Sequence, residues 1–383
     1  MRELLTGAPR WAALLGQLAH GAAWMLLFWI VTSQGVVGVS DAAIAWIHLV
    51  ALGWITLTAL AILIPLIPSA TGVAWRALRL QHLALAAFAI AAISFPAAWL
   101  ADIRAIPVVG GVLLVAIAFY VALALWTLTG ALRGERVERA VARAFSLSLL
   151  IFAAVAILGA MLAGAITVSD MPPWFANLVH AHALLALLGW LTLLIYGVSA
   201  RTLRSLFNVR SRLLFAHIVV GTLGMAGAIV LAVGAGAGSR TTIWVGAVAM
   251  AIAAVAFAVD TLDIVVRARG AAASRAFVAA SIIWSLVAVV LGFGILLGRD
   301  WSEAFGYVVL VGWIGQMLDA HLASLARPLP AWIAFVAFQS AVLYGFVGLL
   351  AGFAAPVALA AAFGMLGWCA SVVAMGSAYR PIE

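Results

Sequence analysis

Lysine is absent from this chain, and all 20 of its basic residues are arginine. Charge of either sign is scarce, with only 8% of the 383 positions charged. Soluble domains carry about 25%, so a water-facing globular surface is excluded. The single cysteine, Cys369, excludes a disulfide framework and any Cys-rich zinc or iron–sulfur centre. It also excludes the C-x-x-C-H attachment of a c-type haem. The net charge of +8 does not indicate nucleic acid, because the arginines are scattered singly through apolar sequence. The opening MRELLTGAPRW lacks the small-residue cleavage site of a secretory signal and runs straight into an apolar stretch.

What is present is hydrophobic sequence, 67% of the chain. With roughly 20 apolar residues needed per membrane helix, runs between Pro, Gly, Arg and Asp breaks predict an all-α integral membrane protein of twelve transmembrane helices. The expected spans are 11–33, 41–67, 79–100, 105–131, 138–165, 174–201, 211–236, 241–266, 272–297, 302–326, 330–353 and 356–378. Pro65 and Pro68 are expected to end the second. With the N-terminus inside, 17 of the 20 arginines fall on the cytoplasmic side. Arg104, Arg240 and Arg299 remain outside, with Asp41, Asp102, Asp170, Asp300 and Glu303. This asymmetry predicts a multi-pass protein of a bacterial-type inner (cytoplasmic) membrane with both termini cytoplasmic.

Three even-numbered spans share a pattern: IHLVALGWITLTAL (47–60), HALLALLGWLTLLI (182–195) and YVVLVGWIGQML (307–318). Their pairs Gly53-Trp54, Gly189-Trp190 and Gly312-Trp313 lie 136 and 123 residues apart, as four helices per unit would require. A polar residue follows each Trp by 26–28 positions: His82, His217 and Gln339. Together these predict internal repeats over about 1–137, 138–271 and 272–383. Gly-Trp also serves packing, since Gly allows close helix approach and Trp fills the remaining space.

All seven histidines fall within expected spans: His20, His48, His82, His180, His182, His217 and His321. An ionisable side chain in a bilayer is costly and marks function by default, and neutral imidazole is the commonest metal ligand. His20, His48, His180 and His182 share the outer half of the membrane. The spacing His180-Ala181-His182 turns two side chains roughly 200° apart on one helix. One helix then offers a ligand to each of two flanking cofactors, whereas a single metal favours a spacing of three or four. Each of these imidazoles could instead bond a helix backbone. The inner His82, His217 and His321 suit structural or water-contacting roles. Gln316 and Asp319 share a face near His321, and Asp263 can pair with Arg267 at i,i+4.

The segment WFANLVHAHALLALLGWLTLLIYGV (174–198) resembles the tenth helix of heme–copper oxidase subunit I. It is most similar to the C-type oxidases and nitric oxide reductases, where H-x-H precedes L-G-W. By that resemblance His180 matches the high-spin haem ligand and His182 the low-spin one. A pseudo-threefold ring of twelve helices is likewise that family's architecture, and the NnrS-type haem membrane proteins are nearer in size. The resemblance implies haem b, one or two groups, held by His48, His180 and His182 with His20 as a further candidate. Arg104, Arg240 and Arg299 would pair with propionates, because bidentate Arg–carboxylate contacts suit that role.

The departures are specific. H-x-H lies on the sixth span rather than the tenth, and Tyr307 stands at the position repeat-equivalent to His48. No adjacent His-His pair exists, so a three-His copper site has no source and copper is not expected. No lysine-lined proton route exists either. The expectation is a haem-b-binding membrane protein with redox or nitric-oxide-linked chemistry and no proton pumping. It would work with an electron donor or partner subunit, or as a homo-oligomer. The competing expectation is a transporter or channel whose histidines handle a metal ion or small solute. No span shows the paired Gly/Pro interruptions that mark transporter sites.

Overall fold

The computed structural model describes residues 7–34, 40–132, 136–167, 171–209, 212–270, 272–323 and 328–378. These form helices in twelve long runs, with no strand among the described residues. Nine runs are plain: α1 (Ala8–Gln34), α3 (Leu78–Ala101), α4 (Ile106–Ala131), α5 (Arg136–Ala165), α7 (Leu214–Gly236), α8 (Arg240–Arg267), α9 (Ala272–Leu296), α11 (Pro328–Ala351) and α12 (Ala354–Ala378). The other three change register midway from α to π and back. α2 joins Asp41–His48, the π-turns Leu49–Thr56, and Leu57–Thr71. α6 joins Phe175–Leu184, Leu185–Leu191 and Thr192–Phe207, and α10 joins Ser302–Tyr307, Val308–Gly315 and Gln316–Ala323.

Eleven of these runs are long and apolar enough to cross a membrane. The one outside that set is α10, which carries Glu303, Gln316, Asp319 and His321. Large apolar side chains point outward along the exterior, among them Ile90, Val108, Val115 and Val266. Water would penalise such a surface at about 25 cal/mol per Å² of apolar area, while lipid accepts it.

The second helix does not stop at Pro65 or Pro68; both lie inside α2, which ends at Thr71 with Gly72 in the left-handed conformation. A proline removes one backbone donor and strands the carbonyl four residues earlier. For Pro68 that carbonyl belongs to Ile64, and the Trp75 indole N–H donates to it at 2.6 Å. The helix therefore continues because its freed acceptor finds a donor, as such breaks require in a membrane interior.

Neighbours in sequence pack as hairpins, α3 on α4, α4 on α5, α7 on α8 and α11 on α12, and α1 lies against α12. In the last contact Trp368 Nε1 donates to Gln17 O at 2.6 Å and Gly21 gives its ring room. The three π-containing helices meet at the centre. All eight residues of Val308–Gly315 are buried. Trp190 Nε1 donates to Thr56 Oγ1 at 3.2 Å, tying α6 to α2. Trp313 Nε1 donates to Thr192 Oγ1 at 3.1 Å, tying α10 to α6. Each π segment contains one Gly-Trp pair.

Candidate functional site

A cavity of about 990 Å³ runs along both sides of α6. On one side its walls come from α2, α3, α4 and α5, including His48, Phe95, Trp99, Gly110, Phe152 and Gly159. On the other they come from α7 to α10, including Arg240, Phe293, Glu303 and Tyr307. His180 and His182 both line it. Its volume stands at the upper end of the ~300–1,000 Å³ typical of ligand and cofactor sites.

Two of the imidazoles are held in the same way. His48 Nδ1 donates to Ile44 O at 2.8 Å, and His182 Nδ1 donates to Val155 O at 3.1 Å. A carbonyl only accepts, so each bond fixes the proton on Nδ1 and leaves the Nε2 lone pair free. Such a bond on the far nitrogen is what orients a ligating histidine. Phe95 meets the His48 ring edge-on at 5.0 Å.

Room for His182 comes from glycine. A Cβ at Gly159 would lie 3.0 Å from His182 Cε1, so α5 can approach the imidazole only because position 159 has no side chain. Gly110 does the same for Phe95 and Ala163, at 3.4 and 3.1 Å. His182 reaches toward α5, and His180, exposed to the cavity, hydrogen-bonds nothing in the described structure that fixes its ring.

The remaining sequence candidates separate from this site. His20 is buried outside the cavity walls, stacked on Trp54 with ring centroids 3.4 Å apart, and its Nε2 accepts from Trp24 Nε1 at 2.8 Å. Arg240 lines the cavity at the start of α8 and reaches Leu296 O at 3.4 Å. Arg104 and Arg299 are exposed and do not line it. His321 has both nitrogens engaged, Nδ1 with Met317 O at 2.8 Å and Nε2 with the Thr202 hydroxyl at 2.9 Å, so it ties α10 to α6. The side chain of His217 lies outside the described residues. The expected Asp263–Arg267 pair forms, with Arg267 Nε donating to Asp263 Oδ1 at 2.9 Å.

Sequence reasoning missed the aromatic walls of the site, Phe95, Trp99 and Phe152, since one more aromatic in an apolar span carries no signal. Gly159 was equally silent among 35 glycines. Among the described residues no group of three or more His, Cys, Asp or Glu side chains is arranged to hold a metal ion on its own. No protein-family model matches the chain, and no curated protein matches it.

Proposed function

We propose that this protein is a haem-b-binding integral membrane protein related to heme–copper oxidase subunit I, with redox or nitric-oxide-linked chemistry and no three-histidine copper centre. One observation carries the reading. His48 and His182 line a single cavity, each tied by Nδ1 to a backbone carbonyl and each with Nε2 free.

The residues present suit the group. Neutral imidazoles with a fixed far nitrogen are the donor set haem iron takes, and Gly159 and Gly110 are among the residues lining the cavity where a flat macrocycle would lie. His48 and His182 would hold the iron, and His180, on the other side of α6, offers a ligand to a second group. Phe95, Trp99 and Phe152 keep water from that chamber, and Arg240 supplies the cation for a propionate. Bound haem would supply a one-electron iron couple whose potential the protein sets through ligands, burial and nearby charge.

The architecture we infer is the pseudo-threefold ring of twelve helices, with repeats 1–137, 138–271 and 272–383. It is supported by the three π segments at the Gly-Trp pairs and by the packing of α1 on α12. α10 serves as the twelfth span because Gln316 and Asp319, which lower its hydropathy, are buried against neighbouring helices rather than lipid. The arginine asymmetry supports a reading with both termini in the cytoplasm of a bacterial-type cell.

The test is an optical spectrum of protein purified from haem-replete cells, oxidised, reduced, and reduced with CO or NO. A Soret band that is lost in His48→Ala and His182→Ala is expected. Colourless protein with no pyridine hemochrome signal overturns the proposal. Metal uptake into vesicles that His48→Ala abolishes, in protein without haem, would establish the transporter reading instead.

A further inference from the structure

A second polar group lies inside the helix bundle, away from the cavity walls. Gln17 and His20 sit on one face of α1, three residues apart, and Trp54 and Thr58 on one face of α2, four apart. Gly16 and His20 bring α1 against this part of α2, with Gln17 next to Gly16 in the chain. Gly16 packs directly against the Thr58 hydroxyl and the Trp54 carbonyl, and His20 stacks on the Trp54 ring. Gln17, His20, Trp54 and Thr58 are each at least nine-tenths buried. Yet both amide atoms of Gln17, Nδ1 of His20, Nε1 of Trp54 and Oγ1 of Thr58 have no hydrogen-bond partner among the described residues. Gln81, fully buried at the start of α3, stands beside the Tyr120 hydroxyl, which itself donates to Leu60 O two residues beyond Thr58.

Such groups are almost always satisfied by protein or by ordered water, and a membrane interior offers nothing else. Five unsatisfied atoms within two facing helix faces are more than packing leaves by accident. The donors His20 Nδ1–H and Trp54 Nε1–H and the amide and hydroxyl of Gln17 and Thr58 provide the two to four polar partners an internal water needs. They carry no net charge, which disfavours a metal ion and suits a neutral ligand.

We propose that Gln17, His20, Trp54 and Thr58 form an internal water-binding site, continued by Gln81 toward the end of the bundle where α3 begins. The site takes water molecules as its ligand and gives the aqueous phase a polar route into the core. It does not depend on what the cavity holds.

The experiment uses the chain's single cysteine. In a Cys369→Ser background, Thr58→Cys and Gln17→Cys are compared with Leu63→Cys, on the opposite face of α2, and Val278→Cys on α9, all at positions within 5% of full burial. The probe is 2-aminoethyl methanethiosulfonate, applied to full-length protein that elutes as a single species. Only a hydrated thiol ionises to the reactive thiolate, so Thr58→Cys and Gln17→Cys are expected to react faster than the two controls by at least an order of magnitude. Equal, slow reaction at all four positions overturns the proposal. X-ray hydroxyl-radical footprinting of the unaltered protein provides the second arm, independent of any variant. His20 and Trp54 are expected to be oxidised by bound water well above buried Phe277, after correction for intrinsic reactivity. Their protection to the level of Phe277 also overturns it.

Discussion

Gly159 offers the sharpest test of the haem reading, because it touches a proposed ligand without being one. A Cβ there would meet His182 Cε1 at 3.0 Å, Nδ1 at 3.5 Å and Nε2 at 3.9 Å. The first distance is tighter than most Cβ contacts, so in Gly159→Ala the imidazole must tilt or α5 withdraw by a few tenths of an ångström. Either movement stretches the 3.1 Å bond from His182 Nδ1 to Val155 O, which already sits at the long end of the hydrogen-bond range. Overpacking of this kind costs about 1–3 kcal/mol. If it falls on the bound state, affinity drops about 5- to 150-fold at 1.4 kcal/mol per tenfold. Gly159→Leu should remove binding. The assay is titration of haem into apo-protein in detergent, followed at the Soret band. Gly164→Ala, five residues along the same helix with nothing near its Cβ, is the control and should bind as the unaltered protein does. Unchanged affinity in Gly159→Ala, or an equal loss in Gly164→Ala, refutes the placement of haem against His182.

Three further outcomes are expected. His20→Ala should retain haem by pyridine hemochrome, since His20 lies outside the cavity and its Nε2 is taken by Trp24. Arg240→Gln should lower the haem midpoint potential, because a nearby cation favours the less positive reduced iron. At 59 mV per tenfold for a one-electron couple, a shift on the order of 20–60 mV is expected, while Arg299→Gln, away from the cavity, leaves it unchanged by redox titration. Trp75→Phe should strand the Ile64 carbonyl that Pro68 frees and destabilise the fold by about 1–3 kcal/mol. Thermal unfolding monitored by circular dichroism checks this.

Helix existence was legible because each apolar run is bounded by residues a bilayer core rejects, and all twelve expected segments coincide with a helical run. Helical periodicity also separates His180, which is exposed, from His182, which reaches Val155 O on α5. Which way His20 turns was not legible: it faces Trp24 and Trp54 rather than the cavity, and only packing settles that. Local proline rules misplaced the end of α2, because the compensating donor, Trp75, lies 11 residues away on a different segment. The π segments had no signature beyond the Gly-Trp pairs they enclose.

Those π segments explain one asymmetry at the centre of the molecule. At or just after the end of each, the residue two after the Trp sits where another helix's Trp approaches. Thr56 accepts from Trp190, and Thr192 accepts from Trp313. The wider turn also leaves Thr192 Oγ1 free to donate five residues back to Leu187 O at 2.8 Å. On α10 the corresponding residue is Gly315, and there the Trp54 ring packs in place of a hydroxyl, 2.7 Å from where a Cβ would stand. Trp54 Nε1 therefore has no threonine to bond and is unpartnered among the described residues. The missing hydroxyl is what allows Trp54 to move inward and lie flat on His20. One small residue at position 315 thus breaks the Trp–Thr pattern on the side where the polar site between α1 and α2 forms.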